Sequence, residues 1–251
     1  MLGLSSMYTA LFDKTIESFI DDVKANLDLN VAEVFDFRTT MLTEQTASFL
    51  KDVNDVKFTV HGPFDVASKI SDPSDDSRKL AVAKLKSSID FAADIEALAF
   101  VQHPGNKTFS SDSDLWQLNC QSLVEIIDYG NSRGMKVGIE NMTPDKAFMS
   151  SPPEFEEFSK ANNIDLNLVF DTGHANIAKK IDEFVEKYSS KFLIIHATDN
   201  DGDKDLHLNI GEGNIDWTKL VQSLRNFTGV YVIESVWEPL KSLTKLKALL
   251  G

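Results

Sequence analysis

The chain carries five histidines, and each follows an apolar run that reads as a strand, directly or within the next loop. His61 ends "KFTVH", His103 ends "ALAFVQH" and His196 ends "FLIIH". Carboxylates recur in the same kind of place. Glu140 ends "KVGIE", Asp171 ends "LNLVFD" with His174 three residues on, and Glu234 ends "VYVIE". Asp205 and His207 stand two apart in the long segment after "FLIIHA", where an extended backbone points both side chains the same way. Any one of these histidines reads most simply as a hydrogen-bonded imidazole, and any one carboxylate as a loop anchor. That reading is strained when all five histidines of a chain share one kind of position. An acid directly after an apolar strand is also costly to desolvate unless a cation compensates it. Together the nine groups offer imidazole nitrogens and carboxylate oxygens without a thiolate. Such a set suits Zn, Mn, Fe or Co better than Ca or Mg. It exceeds what one open catalytic ion uses, so it accommodates one to three divalent ions, Zn or Mn first, sharing bridging carboxylates.

The elements that must bring these groups together are legible as an alternation. Eight short runs read as strands: "LGLSS", "AEVFDF", "KFTVHG", "EALAFVQH", "KVGIEN", "LNLVFD", "FLIIHA" and "GVYVIES". Longer amphipathic stretches separate them, among them "SRKLAVAKLKSSIDFAADI" and "LWQLNCQSLVEIIDYGNSRG", whose apolar residues recur at helical spacing. Gly134 is placed to stop the second of these helices, Pro152 and Pro153 to open the next, and Asp216 to cap "WTKLVQSL". Continuous apolar strands fit a parallel sheet covered by helices. Eight βα units in 251 residues predict a (β/α)₈ barrel, an α/β TIM barrel forming one domain over residues 1–251. A doubly wound open sheet is the alternative, but it seldom needs eight units and its Gly-rich fingerprint is missing. Barrel enzymes place their sites at the C-terminal strand ends, where these polar groups fall. The segment "SKISDPSDDSRK" reads as a solvated connection and helix start, with a mobile rim over the site as the alternative.

Composition narrows the partners. Asp+Glu number 39 against Lys+Arg 25, a formal net charge of -14. Such a surface repels phosphate backbones and anionic lipid, although bound cations could reverse this locally. Cys120 has no partner for a disulfide and reads as a small apolar packing residue. The start "MLGLSSMYTALF" lacks a basic n-region and a long apolar core, and no run approaches a membrane span. These features suggest a reducing cytoplasm and no membrane partner, and nothing in them specifies an oligomeric state. "GEGNID" lacks the lysine of a phosphate loop; Gly211 and Gly213 read instead as a tight turn leading to Asp216.

Along nearly its whole length the chain resembles the xylose-isomerase-like TIM barrels, which join sugar phosphate isomerases and epimerases with the endonuclease IV type of apurinic endonuclease. The blocks that carry the resemblance are "VHGPF", "VQHPG", "GIENM", "FDTGHA", "IIHATDNDG", "DLHLNIGEGNIDW" and "VIES". The epimerase-like members imply one divalent ion held at Glu140, Asp171, His196 and Glu234. Endonuclease IV implies three zinc ions that also engage His61, His103, His174, Asp205 and His207. Both sets are present. The basic and aromatic residues with which endonuclease IV penetrates a duplex are sparse: the loop after strand two offers Arg38, and Phe64 is followed by Asp65. The arginine that ketose epimerases usually carry after strand seven is also missing, Lys204 being the only cation there.

A small-molecule sugar or sugar phosphate therefore ranks first as substrate and nucleic acid below it. In the first case a divalent metal stabilises an enediolate, Glu140 and Glu234 exchange the α proton from different sides, and His174 hydrogen-bonds a substrate oxygen where it is not a ligand. In the second, zinc ions activate water for phosphodiester hydrolysis of abasic DNA, with Glu140 bridging two of them. A non-catalytic, metal-stabilised binding barrel is a third reading that leaves nine polar groups poorly explained. Phe64 and Trp237 are read either as pocket walls or as packing residues.

Overall fold

The computed structural model describes residues 1–37, 40–109 and 114–251. Eight strands pair in chain order and close into a barrel: β1 (Leu2–Ser5), β2 (Val31–Phe35), β3 (Lys57–His61), β4 (Phe100–Gln102), β5 (Val137–Glu140), β6 (Leu168–Asp171), β7 (Phe192–Ala197) and β8 (Val230–Ile233). Every pairing is parallel, and β8 closes on β1 through Gly3 opposite Val232. The expected (β/α)₈ architecture is therefore what forms. The helices are α1 (Ile16–Lys24), α2 (Glu44–Lys51), α3 (Phe64–Ala67), α4 (Asp75–Asp94), α5 (Leu115–Ser132), α6 (Pro152–Asn162), α7 (Thr172–Ile177), α8 (Ile181–Tyr188), α9 (Trp217–Ser223) and α10 (Pro239–Leu250).

The boundary signals act as expected. Pro152 and Pro153 open α6, the Asp216 carboxylate accepts from Lys219 N and caps α9, and Gly134 adopts φ 72° just past α5. "SKISDPSDDSRK" does hold a helix start, with Ser74 capping α4. A helix also stands between β2 and β3, as eight βα units require: Thr43 caps α2, Glu44 supplies an acid to its first turn, and Ala47 and Leu50 are buried.

The period of two along each strand explains how the site is placed. Inside the barrel Val31, Val101, Val169, Ile194 and Val232 belong to one buried apolar cluster. Two residues further along the same strands stand Glu33, His103, Asp171, His196 and Glu234. Thr59 and His61 repeat the spacing on β3, as do Gly138 and Glu140 on β5. Gly138 is needed there: a Cβ would lie 2.8 Å from Val169 Cγ2, which side chains do not tolerate in a close-packed core. Thus an apolar floor supports a polar layer at the C-terminal end. Outside the strands, buried Phe155 and Phe158 present one face of α6, and Phe170 stacks on Phe192 at 4.7 Å between centroids. Among the described residues no helix is long and apolar enough to cross a membrane.

Candidate active site

Seven of the nine expected residues, His61, His103, Glu140, His174, Asp205, His207 and Glu234, line a cavity of about 1100 Å³ at the C-terminal mouth of the barrel, and Asp171 and His196 lie fully buried beside them. Glu140 is central. Its Oε2 lies 2.9 Å from His103 Nε2 and 3.5 Å from His61 Nε2. Its Oε1 lies 3.4 Å from both His174 Nδ1 and His196 Nδ1. His196 Nδ1 is also 3.4 Å from Glu234 Oε2, so the Glu140 and Glu234 oxygens are separated by no more than the sum of two short contacts. Asp171 Oδ1 accepts from His174 N at 2.6 Å and so caps α7. At the outer rim Asp205 Oδ2 stands 3.2 Å from His174 Nε2 and 3.4 Å from His207 Nε2.

The approach of Asp205 and His207 does not come from extended backbone. His207 has φ 45°, a left-handed conformation rare for a residue with a side chain. The flanking bridge between Asp199 and Leu208 holds the segment in that shape. Strain of this kind persists only where surrounding structure enforces it, and it clusters at functional sites.

Several histidines have one ring nitrogen committed to an acceptor. The Nδ1 of His61 is 2.7 Å from Gly62 O, that of His174 2.9 Å from Asn141 O, and that of His207 3.2 Å from Glu234 O. A ring that donates there presents its other nitrogen, as a lone pair, to the cluster. Those nitrogens meet carboxylate oxygens and, for His61, the His103 Nε2 at 3.1 Å. Acceptors facing acceptors call for protons or a cation between them.

The buried charges respond accordingly. Burial pushes the Glu234 carboxyl up to about 7, with Glu33 and Glu140 adding to the effect and His196 opposing it. Burial also favours the neutral imidazole at His174 and His196, yet the surrounding carboxylates outweigh it and raise both well above the ordinary range. His103 falls below it, driven by burial. Burial resists ionisation of Glu140, but His103 and His196 hold it well below the usual carboxylate range. Buried Asp171 Oδ2, His196 Nδ1 and Glu234 Oε1 have no hydrogen-bond partner, and Glu140 Oε2 lies against His103 Nε2 without an aligned hydrogen bond. Orphaned groups of this kind normally signal an unrecorded ion or water. Their chemistry, nitrogen and carboxylate oxygen, fits a divalent transition-metal ion.

A family model described as the xylose isomerase-like TIM barrel matches residues 20–249. The chain belongs to that family. Uncharacterised protein MJ1311 of Methanocaldococcus jannaschii is 33% identical to this xylose isomerase-like barrel over 213 residues, 80% of this chain and 72% of that protein. A D-tagatose 3-epimerase-like protein superimposes with a TM-score of 0.90 at 28% identity, covering 99% of this chain and 96% of its own. The TTHB071 protein from Thermus thermophilus, solved with ZnCl2 soaking, gives 0.77 at 21% identity, with 100% and 98% covered. At that identity the likeness speaks for the fold.

Two parts of this xylose isomerase-like barrel's site lay outside the sequence reading. The first is Glu33, fully buried on β2 beside His196. Its signal was an acid inside the apolar run "AEVFDF", two residues before Phe35, which lines the cavity. The second is Asp199. Its carboxylate accepts from Asn200 N, Gly211 N and the Trp217 indole, each at 2.9 Å, and from Ile215 N at 3.2 Å. It thereby pins both ends of the arm carrying Asp205 and His207, and it explains "GEGNIDW" structurally. Gly211 turns at φ 85°, and a Cβ on Gly213 would sit 2.2 Å from Asn200 O. Asp199→Ala strands buried donors at about 1–3 kcal/mol each. We expect a loss on the order of 3 kcal/mol in urea unfolding, together with faster amide exchange in residues 205–215; wild-type values for both would refute the anchoring role.

Phe64 stacks 6.0 Å from Phe35 and packs 5.5 Å from Phe37, forming one wall of the cavity. Trp237 does not share this role. It lies 62% exposed on a separate groove with Tyr8 and Phe12, because the chain turns outward after Glu234 to enter α10. Arg38 lies outside the described residues. Cys120 packs half-buried against the core, and burial pushes its thiol up to about 12, which suits a packing role.

Proposed function

We propose that this barrel is a divalent-metal-dependent sugar isomerase or epimerase. The observation that carries the reading is the pair Glu140 and Glu234. They approach the cavity from β5 and from just past β8, and each keeps a buried oxygen without an aligned hydrogen bond. The D-tagatose 3-epimerase-like protein, similar over almost the whole chain, supports the same class.

Glu140, Asp171, His196 and Glu234 would hold the ion, with zinc or manganese fitting the donor set. A divalent cation there supplies Lewis-acid polarisation of a carbonyl and its neighbouring hydroxyl, worth several kcal/mol. Glu140 is kept ionised by its histidines and takes the α proton. Glu234 reaches the cavity from just past β8 and would return a proton to the other face. His174 lines the cavity beside Asp205 and, when both its ring nitrogens are protonated, would donate from Nε2 to a substrate oxygen. Phe35, Phe37 and Phe64 cover the apolar face of a bound sugar. The mouth is acidic: Asp65, Asp145 and Asp203 line it against Lys146 and Lys204. This favours a neutral sugar over a sugar phosphate.

Phosphodiester hydrolysis of abasic DNA is the second reading. It is favoured by the outer set, with His61, His103 and His174 against Glu140 and Asp205 bridging His174 and His207, which would hold two further ions. The net charge of -14 and the acidic mouth weigh against a duplex. The test loads the protein with zinc or manganese and incubates it with a panel of free ketoses in D₂O. Proton NMR should show deuterium entering the carbon next to the carbonyl, with no nicking of abasic DNA by the same sample. Nicking without exchange would reverse the order of the two readings.

A further inference from the structure

His196 differs from the other histidines of the cluster in what holds its outer nitrogen. His61, His174 and His207 lean on backbone carbonyls. His196 leans on a carboxylate: its Nε2 is 3.3 Å from Glu33 Oε2. Glu33 sits on β2, across the barrel from β7. The β2–β3 register sets Glu33 opposite Thr59, whose hydroxyl donates to the same Oε2 at 3.1 Å. Thr59 thus fixes the carboxylate from one side while His196 meets it from the other. Glu33 is 0% exposed, and its second oxygen has no hydrogen-bond partner. It does not line the cavity, so it cannot touch a substrate there.

A buried carboxylate is kept only where something compensates its desolvation. The compensating group here is the His196 ring. When Nε2–H donates a hydrogen bond to Glu33, Nδ1 of the neutral ring is left as a lone pair, and Nδ1 is the nitrogen within 3.4 Å of both Glu140 and Glu234. A backbone carbonyl would select the same tautomer, but a carboxylate also makes the imidazole a stronger electron donor. We infer that Glu33 is a positioning residue that locks the His196 ring and its Nε2–H tautomer, so that Nδ1 is presented for divalent metal binding beside Glu140 and Glu234. This rests on the metal-binding reading above and assigns the β2 carboxylate a part in it.

Glu33→Gln keeps the shape and removes the charge. Zinc affinity of the purified full chain, measured by competition with a fluorescent chelator, should weaken about 10–100-fold, the cost typical of losing such a partner. Glu33→Asp, which retains the charge on a shorter stem, should recover part of that loss. The wild type supplies an arm that needs no variant to fold. In ¹⁵N-histidine spectra of the zinc-loaded chain, His196 should show a protonated Nε2 and a metal-shifted Nδ1. Unchanged affinity in folded Glu33→Gln, or a His196 protonated at Nδ1 in the loaded wild type, would overturn the inference. A wild type that binds zinc while Glu33→Gln matches it removes this role alone; a wild type that binds no divalent ion removes the metal reading as well.

Discussion

Glu140→Gln is expected to reduce α-proton exchange and turnover by about 10²–10⁴-fold, the usual worth of one positioned acid or base. Glu140 touches more of the site than any neighbour, with His61 and His103 on one oxygen and His174 and His196 on the other. Its amide counterpart is isosteric, but it carries no charge and turns a donor toward one of those rings. The barrel should tolerate the change, because burial disfavours the charged form and β5 is held by backbone pairing to β4 and β6. Far-UV circular dichroism should therefore match the wild type while zinc per chain falls. Full turnover in the variant would remove Glu140 from the chemistry.

Removing the metal is expected to lower the melting temperature by roughly 10 °C. Glu33, Glu140, Asp171 and Glu234 are all essentially buried in adjoining groups of ligand-type side chains, and a bound cation would offset their repulsion. An ion held about 1,000-fold above its dissociation constant stabilises the fold by about 4 kcal/mol, and each kcal/mol shifts a domain of this size by about 2–4 °C. Calorimetry with and without a strong chelator reads the shift directly, and re-addition of zinc or manganese should restore it. An unchanged melting temperature, with metal content shown to have dropped, would mean that these carboxylates are balanced by protons alone.

The fold was legible because each strand is a short apolar run that ends in a polar group, and because Gly134, Pro152 and Asp216 punctuate helices as their chemistry dictates. The site was legible for the same reason: a histidine or acid closing an apolar strand must face the barrel mouth. What escaped was set by tertiary structure. Trp237 sits three residues after Glu234, yet the path into α10 carries it to another face. Glu33 was hidden by its place in mid-strand, where β2 alone gives no hint that His196 lies across the barrel. The spacing of Asp205 and His207 predicts that the two side chains meet, but they do so without the extended backbone that the spacing implies. Asp199 holds the arm in a left-handed turn that only the folded loop explains.

The most direct test of the account is anomalous diffraction from a crystal of the full chain soaked separately in zinc and manganese. A peak is expected within about 2.0–2.2 Å of carboxylate oxygens of Glu140, Asp171 and Glu234 and of His196 Nδ1. Further peaks beside the His61–His103 pair or the His174–Asp205–His207 trio would count the ions. A well-ordered mouth with no peak, its imidazoles paired only with carboxylates, would contradict it.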